Sequence, residues 1–384
     1  MTTTNDYSPG LEGVISNATT ISYLDLDKEE IVIRGYDLIE LAQKLSYLET
    51  AYLVMHGKEP TQQEAAALRK TLSDQATLPP EVYAMLKSLP KQTHPMDALR
   101  TGISMLAGYE DPAILNDHHP EPNFAKGLKI MAKAPVIACN AYRANQGQPS
   151  IPADPKLGFT ENILWMINGK RPDKESVDML DMVLTCYIEH ELANSTFTAR
   201  IIASSLCDIY GAITGAVASL KGPLHGGANE AAAQMLVDIL QKGGAAKAEQ
   251  YITDIRAAHG RIMGFGHRVY MRKYDPRAFL LKDYLPRLLH KKPEGEEMYA
   301  IYRKVEEVMF RETKLYPNAD YPIGFILYLL DVPIPLFTPL FLCARIPGLI
   351  AHVEEQHKEN RLFRPRVIYL GPRELHPEKA GAGR

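Results

Sequence analysis

Strand-like sequence is confined to two short runs, Glu30-Ile31-Val32-Ile33 near the front and Val367-Ile368-Tyr369-Leu370 near the end. A sheet protein needs many such runs, and strands alternating with helices would mark a doubly wound fold. Neither pattern occurs, so the sequence predicts an all-α fold. The helical signal is long by comparison. Tyr36 to Met55 places Leu38, Leu41, Leu45, Leu48 and Tyr52 at spacings of three and four, one amphipathic stripe. Thr61 and Glu64 form a capping box ahead of Ala65-Ala66-Ala67-Leu68. Pro172 opens an apolar-periodic run that continues past Leu184, Ile188, Leu192 and Ile201. Another helix follows Gly226-Gly227 and stops at Gly243-Gly244. No internal repeat and no glycine-rich phosphate loop of the G-x-G-x-x-G or G-x-x-x-x-G-K-[ST] type is present.

Composition narrows the class. At 384 residues the chain can form two domains around a large core. A net charge of −3 argues against a nucleic-acid partner, which a basic excess would attract. Any anionic ligand must then be held by local cations. Cys139, Cys186, Cys207 and Cys343 form no C-x-x-C pair and sit among apolar neighbours, as expected for reduced thiols in a cytoplasmic protein. The N-terminus has neither the basic nor the apolar region of a signal peptide. Ile323 to Ala351 is rich in apolar residues but contains Asp331, Arg345 and four prolines, so it reads as interrupted core and no membrane span is expected.

Three segments carry chemistry. Gly222-Pro223-Leu224-His225-Gly226-Gly227 and Gly264-Phe265-Gly266-His267 each present one histidine on a backbone that a ligand can approach closely. Pro317-Asn318-Ala319-Asp320 adds one carboxylate in a turn-prone stretch. Two imidazoles and a carboxylate can remove a proton from a weak carbon acid and polarise a carbonyl. His190, in His190-Glu191-Leu192-Ala193-Asn194, stands in a polar cluster within an apolar run that must face a partner or a cavity. The pattern is not the zinc motif H-E-x-x-H, because Asn194 replaces the second histidine. His118-His119 lacks a carboxylate or thiol at ligand spacing, so no metal is expected. The glycines at Gly222 and Gly226-Gly227 suit either a hinge or close helix packing.

In order and spacing, these segments resemble the three catalytic segments of the citrate synthases, and the resemblance extends over nearly the whole chain. Tyr7-Ser8-Pro9-Gly10-Leu11-Glu12-Gly13 and His94-Pro95-Met96-Asp97-Ala98-Leu99-Arg100 also look like that family. It implies a large helical domain (1–225 and 324–384) and a smaller inserted helical domain (226–323). His225, His267 and Asp320 become the catalytic residues, and Asp320 the base. His190, Arg277, Arg345 and Arg364 become oxaloacetate ligands, with Arg364 supplied by the neighbouring subunit of a homodimer, and Arg100 becomes a further substrate-binding contact. Met263, Gly264, Phe265, Gly266, Arg272 and Lys273 are implied to contact CoA, which enters as a thioester co-substrate, and no separate cofactor is expected. Leu315-Tyr316-Pro317-Asn318 and Asn360-Arg361-Leu362-Phe363-Arg364-Pro365-Arg366 look most like the 2-methylcitrate synthases of Bacillus type, which accept propionyl-CoA and usually acetyl-CoA. The alternatives are a dedicated citrate synthase of the tricarboxylic acid cycle, a citryl-CoA lyase, and a non-catalytic helical scaffold.

Overall fold

A computed structural model describes residues 7–266 and 274–377. Among them, helices account for nearly all of the regular structure, and the fold is all-α. The first half contains α1 (Leu38–Lys44), α2 (Tyr47–His56), α3 (Gln62–Gln75), α4 (Pro80–Ser88), α5 (Pro95–Leu106), α6 (Pro112–Leu115), α7 (Pro120–Asn145), α8 (Phe159–Asn168) and α9 (Lys174–Tyr187). The second half adds α10 (Asn194–Ala203), α11 (Ile209–Leu220), α12 (Ala228–Gln241), α13 (Ala248–Ala257), α14 (Pro276–Lys282), α15 (Leu285–Leu288), α16 (Gly295–Thr313), α17 (Asp320–Leu329) and α18 (Phe337–Lys358).

Three of the sequence expectations break at identifiable places. The stripe from Tyr36 to Met55 is two helices, because Ser46 and Glu49 form a reciprocal capping box that starts α2 and stops α1. The run opened by Pro172 is also two helices. Residues 188–193 leave the helix, with Glu191 in the left-handed region at φ 54°, and their polar side chains are drawn into the site described below. Of the two expected strands, Glu30–Ile33 (β2) pairs antiparallel with β1 (Ser22–Asp25) and with the two-residue β3 (Tyr36–Asp37). Val367–Leu370 pairs with nothing among the described residues and lies exposed, Val367 at 85% and Leu370 at 91%. An extended segment without a neighbouring edge has no ladder to join.

The core is built on α7 and α18, which pack against each other. The helices α2, α9, α10 and α11 lie around α18, and α3, α4, α5 and α8 around α7. The segment Ile334–Lys358 is long and apolar enough to cross a membrane, yet 89% of its apolar window is inside the fold. Burial on all sides explains its composition. A second group joins α12 to α16 and α17, α13 to α16, and α14 to α17. The division expected at 323/324 falls inside α17, an unbroken helix packed on α12 and α14.

Candidate active site

The turn before α12 brings His225 against the start of α10. His225 N donates to Gly222 O (2.9 Å) and Gly226 N to Leu220 O (2.9 Å), closing the turn. A Cβ on Gly226 would meet Leu220 Cγ at 2.8 Å, so close packing requires this glycine. Ser195 N donates to His225 Nε2 (3.1 Å), and Ser195 Oγ lies 2.8 Å from the same nitrogen. A backbone N–H can only donate, so Nε2 is the bare nitrogen and Nδ1 carries the proton. Burial, with the Arg345 guanidinium adding to it, pushes the imidazole down to about 4. His225 is thus neutral near pH 7 with a fixed tautomer and one outward donor.

Asp320 is the first residue of α17, and Asn318 Oδ1 accepts its N–H (3.0 Å). Its Oδ1 accepts a 2.6 Å hydrogen bond from the hydroxyl of Tyr187, which is 2% exposed. Burial pushes the carboxyl up to about 6, although the Tyr187 hydroxyl, Arg277 and Arg345 pull it down. Phe341 links the two halves of the site. Its ring stacks on Tyr187 (centroids 4.0 Å apart) and meets His225 edge-on (6.5 Å), and the Arg345 guanidinium lies over it (4.9 Å).

Two arginines are buried beside this carboxylate. Arg345 Nε donates to Tyr187 O (2.6 Å), and its terminal nitrogens make no hydrogen bond among the described residues. Burial lowers it to about 10, so it stays charged at neutral pH. Arg277 forms a bidentate pair with Asp275, Nε to Oδ1 (3.0 Å) and Nη2 to Oδ2 (2.8 Å). Asp275 Oδ2 also accepts from Ala319 N (3.1 Å), which ties Arg277 to the residue beside Asp320. Asp275 and Tyr187 are site residues that sequence reasoning missed. Asp275 reads as the N-cap of α14, which it also is, and Tyr187 fits a core position at helical spacing.

His190 is buried in the segment between α9 and α10, whose shape depends on its neighbour Glu189. Glu189, fully buried, accepts from Ser22 Oγ (3.0 Å) and lies 3.1 Å from His352 Nε2. Arg200 Nη1 stands 3.0 Å from His352 Nδ1, so that nitrogen accepts and Nε2–H points to Glu189. Gly348 leaves the room: a Cβ there would collide with Glu189 Oε2 and meet Ile188 O at 2.8 Å. Gly348→Ala is expected to cost about 1–3 kcal/mol through overpacking, seen as a melting midpoint lowered by roughly 1–4 °C. Gly108→Ala, where an added Cβ meets nothing within 4 Å, is the neutral control.

Met263–Gly266 lies alongside the Asp320 segment. Phe265 bridges to Pro317, Gly266 N donates to Tyr316 O (2.9 Å) and Asn318 N to Gly264 O (3.0 Å). Gly264 and Gly266 sit at φ 87° and 73°, which side-chain-bearing residues rarely adopt. His267, Arg272 and Lys273 lie outside the described residues. Arg100 is not brought to this cluster: it pairs with Asp97 (3.2 Å), whose other oxygen accepts from Lys221 just before the His225 turn. Arg364 is likewise apart, on the exposed tail, with Nη1 donating to Pro365 O (2.7 Å). Among the described residues no group of three or more metal-ligating side chains occurs.

A buried carboxylate with an elevated pKa, a neutral histidine linked to it through Phe341, and two buried guanidiniums form an arrangement chemically able to take a proton from a carbon acid and to hold an anion. The family model described as "Citrate synthase, C-terminal domain" matches residues 10–366, and the chain belongs to the citrate synthase family. It is 46% identical over 368 residues to a citrate/2-methylcitrate synthase of Bacillus subtilis (strain 168), covering 96% of this chain and 97% of the relative. It is 45% identical to a citrate synthase of Heyndrickxia coagulans, covering 98% and 100%. Among solved structures, the ternary complex of carboxymethyl coenzyme A and oxaloacetate with the Thermoplasma acidophilum citrate synthase superposes with a TM-score of 0.90 at 31% identity, over 98% of this chain and 99% of that one.

Proposed function

We propose that the protein is an acyltransferase that condenses propionyl-CoA or acetyl-CoA with oxaloacetate and water, giving 2-methylcitrate or citrate and CoA. The observation that carries this reading is the pairing of Asp320, held near 6, with a neutral His225 whose free N–H is Nδ1. Asp320 takes a proton from the acyl α-carbon, while His225 Nδ1–H donates to the thioester oxygen as charge develops there. The enol carbon then attacks the ketone carbonyl of oxaloacetate, polarised by His267. Water cleaves the resulting thioester, and CoA leaves. Arg345 and Arg277 hold the oxaloacetate carboxylates with His190, because planar guanidiniums suit carboxylates. Met263–Gly266, Arg272 and Lys273 receive the CoA, and Arg100 is a more distant contact.

The working form in this reading is a homodimer. Among the described residues the arm beyond α18 is anchored at its start, by Asn360 Nδ2 to Ser204 O (3.0 Å), Phe363 N to Ser204 Oγ (3.2 Å) and the Phe363 ring edge-on to Phe197. Beyond it Val367, Tyr369 and Leu370 are exposed apolar residues, as fits an arm covered by a second copy that receives Arg364. The smaller group of helices closes over oxaloacetate before acyl-CoA reacts, since water would quench the enol. The unpaired cysteines support a reducing, cytoplasmic setting.

Thiol release on mixing the protein with oxaloacetate and each acyl-CoA is the direct test. Release that needs both partners is expected; none with either thioester would leave the scaffold reading, and cleavage of citryl-CoA alone the lyase reading. The same assay reads pH dependence. A base must be ionised to accept a proton, so kcat/KM should fall as pH drops through about 6, the value at which Asp320 is held.

A further inference from the structure

We propose that Tyr187 is a positioning residue for Asp320: its hydroxyl binds Oδ1 and leaves Oδ2 as the oxygen that receives the substrate proton. The inference rests on the reading of Asp320 as the base. The geometry leaves the hydroxyl proton one destination. Asn229 Nδ2 lies 3.3 Å from the Tyr187 oxygen and can only donate to it, so the phenol proton turns to Asp320 Oδ1 at 2.6 Å. Asn229 is fully buried and its amide is oriented by the Glu230 N–H, which donates to its Oδ1 (2.7 Å). The ring cannot swing away, because it stacks on Phe341 with an interplanar angle of 19°.

Tyr187 also ties the base to the Arg345 guanidinium proposed to hold the substrate anion. Its backbone carbonyl accepts from Arg345 Nε at 2.6 Å, so one residue fixes both the carboxylate and a buried guanidinium. The charged and titratable groups facing Asp320 come from several elements around it. Among the described residues they are Tyr187 on α9, Asp275 and Arg277 at the start of α14, and Arg345 on α18, with His225 beyond Phe341. Only Tyr187 among them makes a direct side-chain hydrogen bond to the carboxylate. A donor on one oxygen stabilises the ionised form and fixes the rotamer. Without it the carboxylate binds its proton more tightly and points less reliably at the substrate.

The test is the pH profile of kcat/KM for the acyl-CoA in the whole enzyme. Tyr187→Phe removes the donor and keeps the ring. Its acid limb is expected to move up by about one to two pH units, the size of one hydrogen bond to a charged group. In the plateau, kcat should fall by roughly tenfold with little change in the KM for oxaloacetate. Placing 3-fluorotyrosine at position 187 alone strengthens the donor and should move the limb down; this variant carries the test if Tyr187→Phe does not fold. Limbs that coincide with wild type in both folded variants overturn the proposal. Asp320→Asn in the same assay separates the two readings. If it abolishes turnover while the limbs stay fixed, only the Tyr187 proposal falls. If it retains turnover, the base assignment falls and takes this proposal with it.

Discussion

Asp320→Asn is expected to lower kcat by roughly 10²–10⁴, the usual contribution of a general base. Oxaloacetate affinity should change little, because in the proposed mechanism Arg277 and Arg345, and not the carboxylate, hold the substrate anion. The amide can still present its oxygen to the Tyr187 hydroxyl, so the local packing survives. Stability gives the internal control. The fold holds Asp320 at about 6, above the value of about 3.9 for a free aspartate. A carboxyl raised on folding costs nothing below the unfolded value and its full penalty above the folded one. Above about pH 6 the variant should therefore melt no lower than wild type, with a gain on the order of 2–3 kcal/mol as the ceiling. Calorimetry with isothermal titration of oxaloacetate checks both points. A variant that binds normally, melts no lower and still turns over near the wild-type rate would remove Asp320 from the chemistry.

The groups assigned chemistry in the proposed function were legible because they interrupt a pattern. His225 stands in a glycine turn, Asp320 follows Pro-Asn, and Arg345 is a lone cation in the long apolar run Phe337–Ala351. Each breaks the local rule that an apolar or helical stretch sets, and functional residues are where such rules fail. The residues that hold them in place break no rule. Tyr187 occupies a core position at helical spacing and Asp275 caps a helix, so each has a sufficient local explanation. Their second role depends on contacts with Asp320 and Arg277 that only the folded chain makes. The same limit explains the helix breaks. The Ser46–Glu49 box was written in the sequence beneath a stripe that runs straight through it, and 188–193 turns out of the helix toward Ser22 and His352, far away in sequence. Ser22–Asp25 was not read as a strand because its pairing with Glu30–Ile33 defines it more than its own four residues do.

Arg364→Ala and His225→Ala homodimers should each be nearly inactive, and mixing them should restore activity. The expectation follows from where Arg364 lies. Its side chain reaches the neighbouring Pro365 carbonyl and touches none of His225, Asp320, Arg277 or Arg345 within its own chain. Phe363, the residue before it, is pinned against Phe197, and the backbone beyond runs out exposed with its apolar side chains uncovered. Pro365 disfavours a helical conformation at Arg364 and so keeps the arm extended. In the proposed homodimer, the guanidinium on this arm completes the site of the second copy. In a two-fold dimer each site then takes His225 from one copy and Arg364 from the other. A mixed dimer has one site carrying both defects and one carrying neither, so it should have about half the wild-type activity. Random exchange of equal amounts makes half of all dimers mixed, which sets the expected recovery at about a quarter of wild type. Exchange is verified by mass spectrometry of differently tagged copies before the assay. Recovery near that value supports the shared site; no recovery after verified exchange places Arg364 at its own chain's site or outside any site.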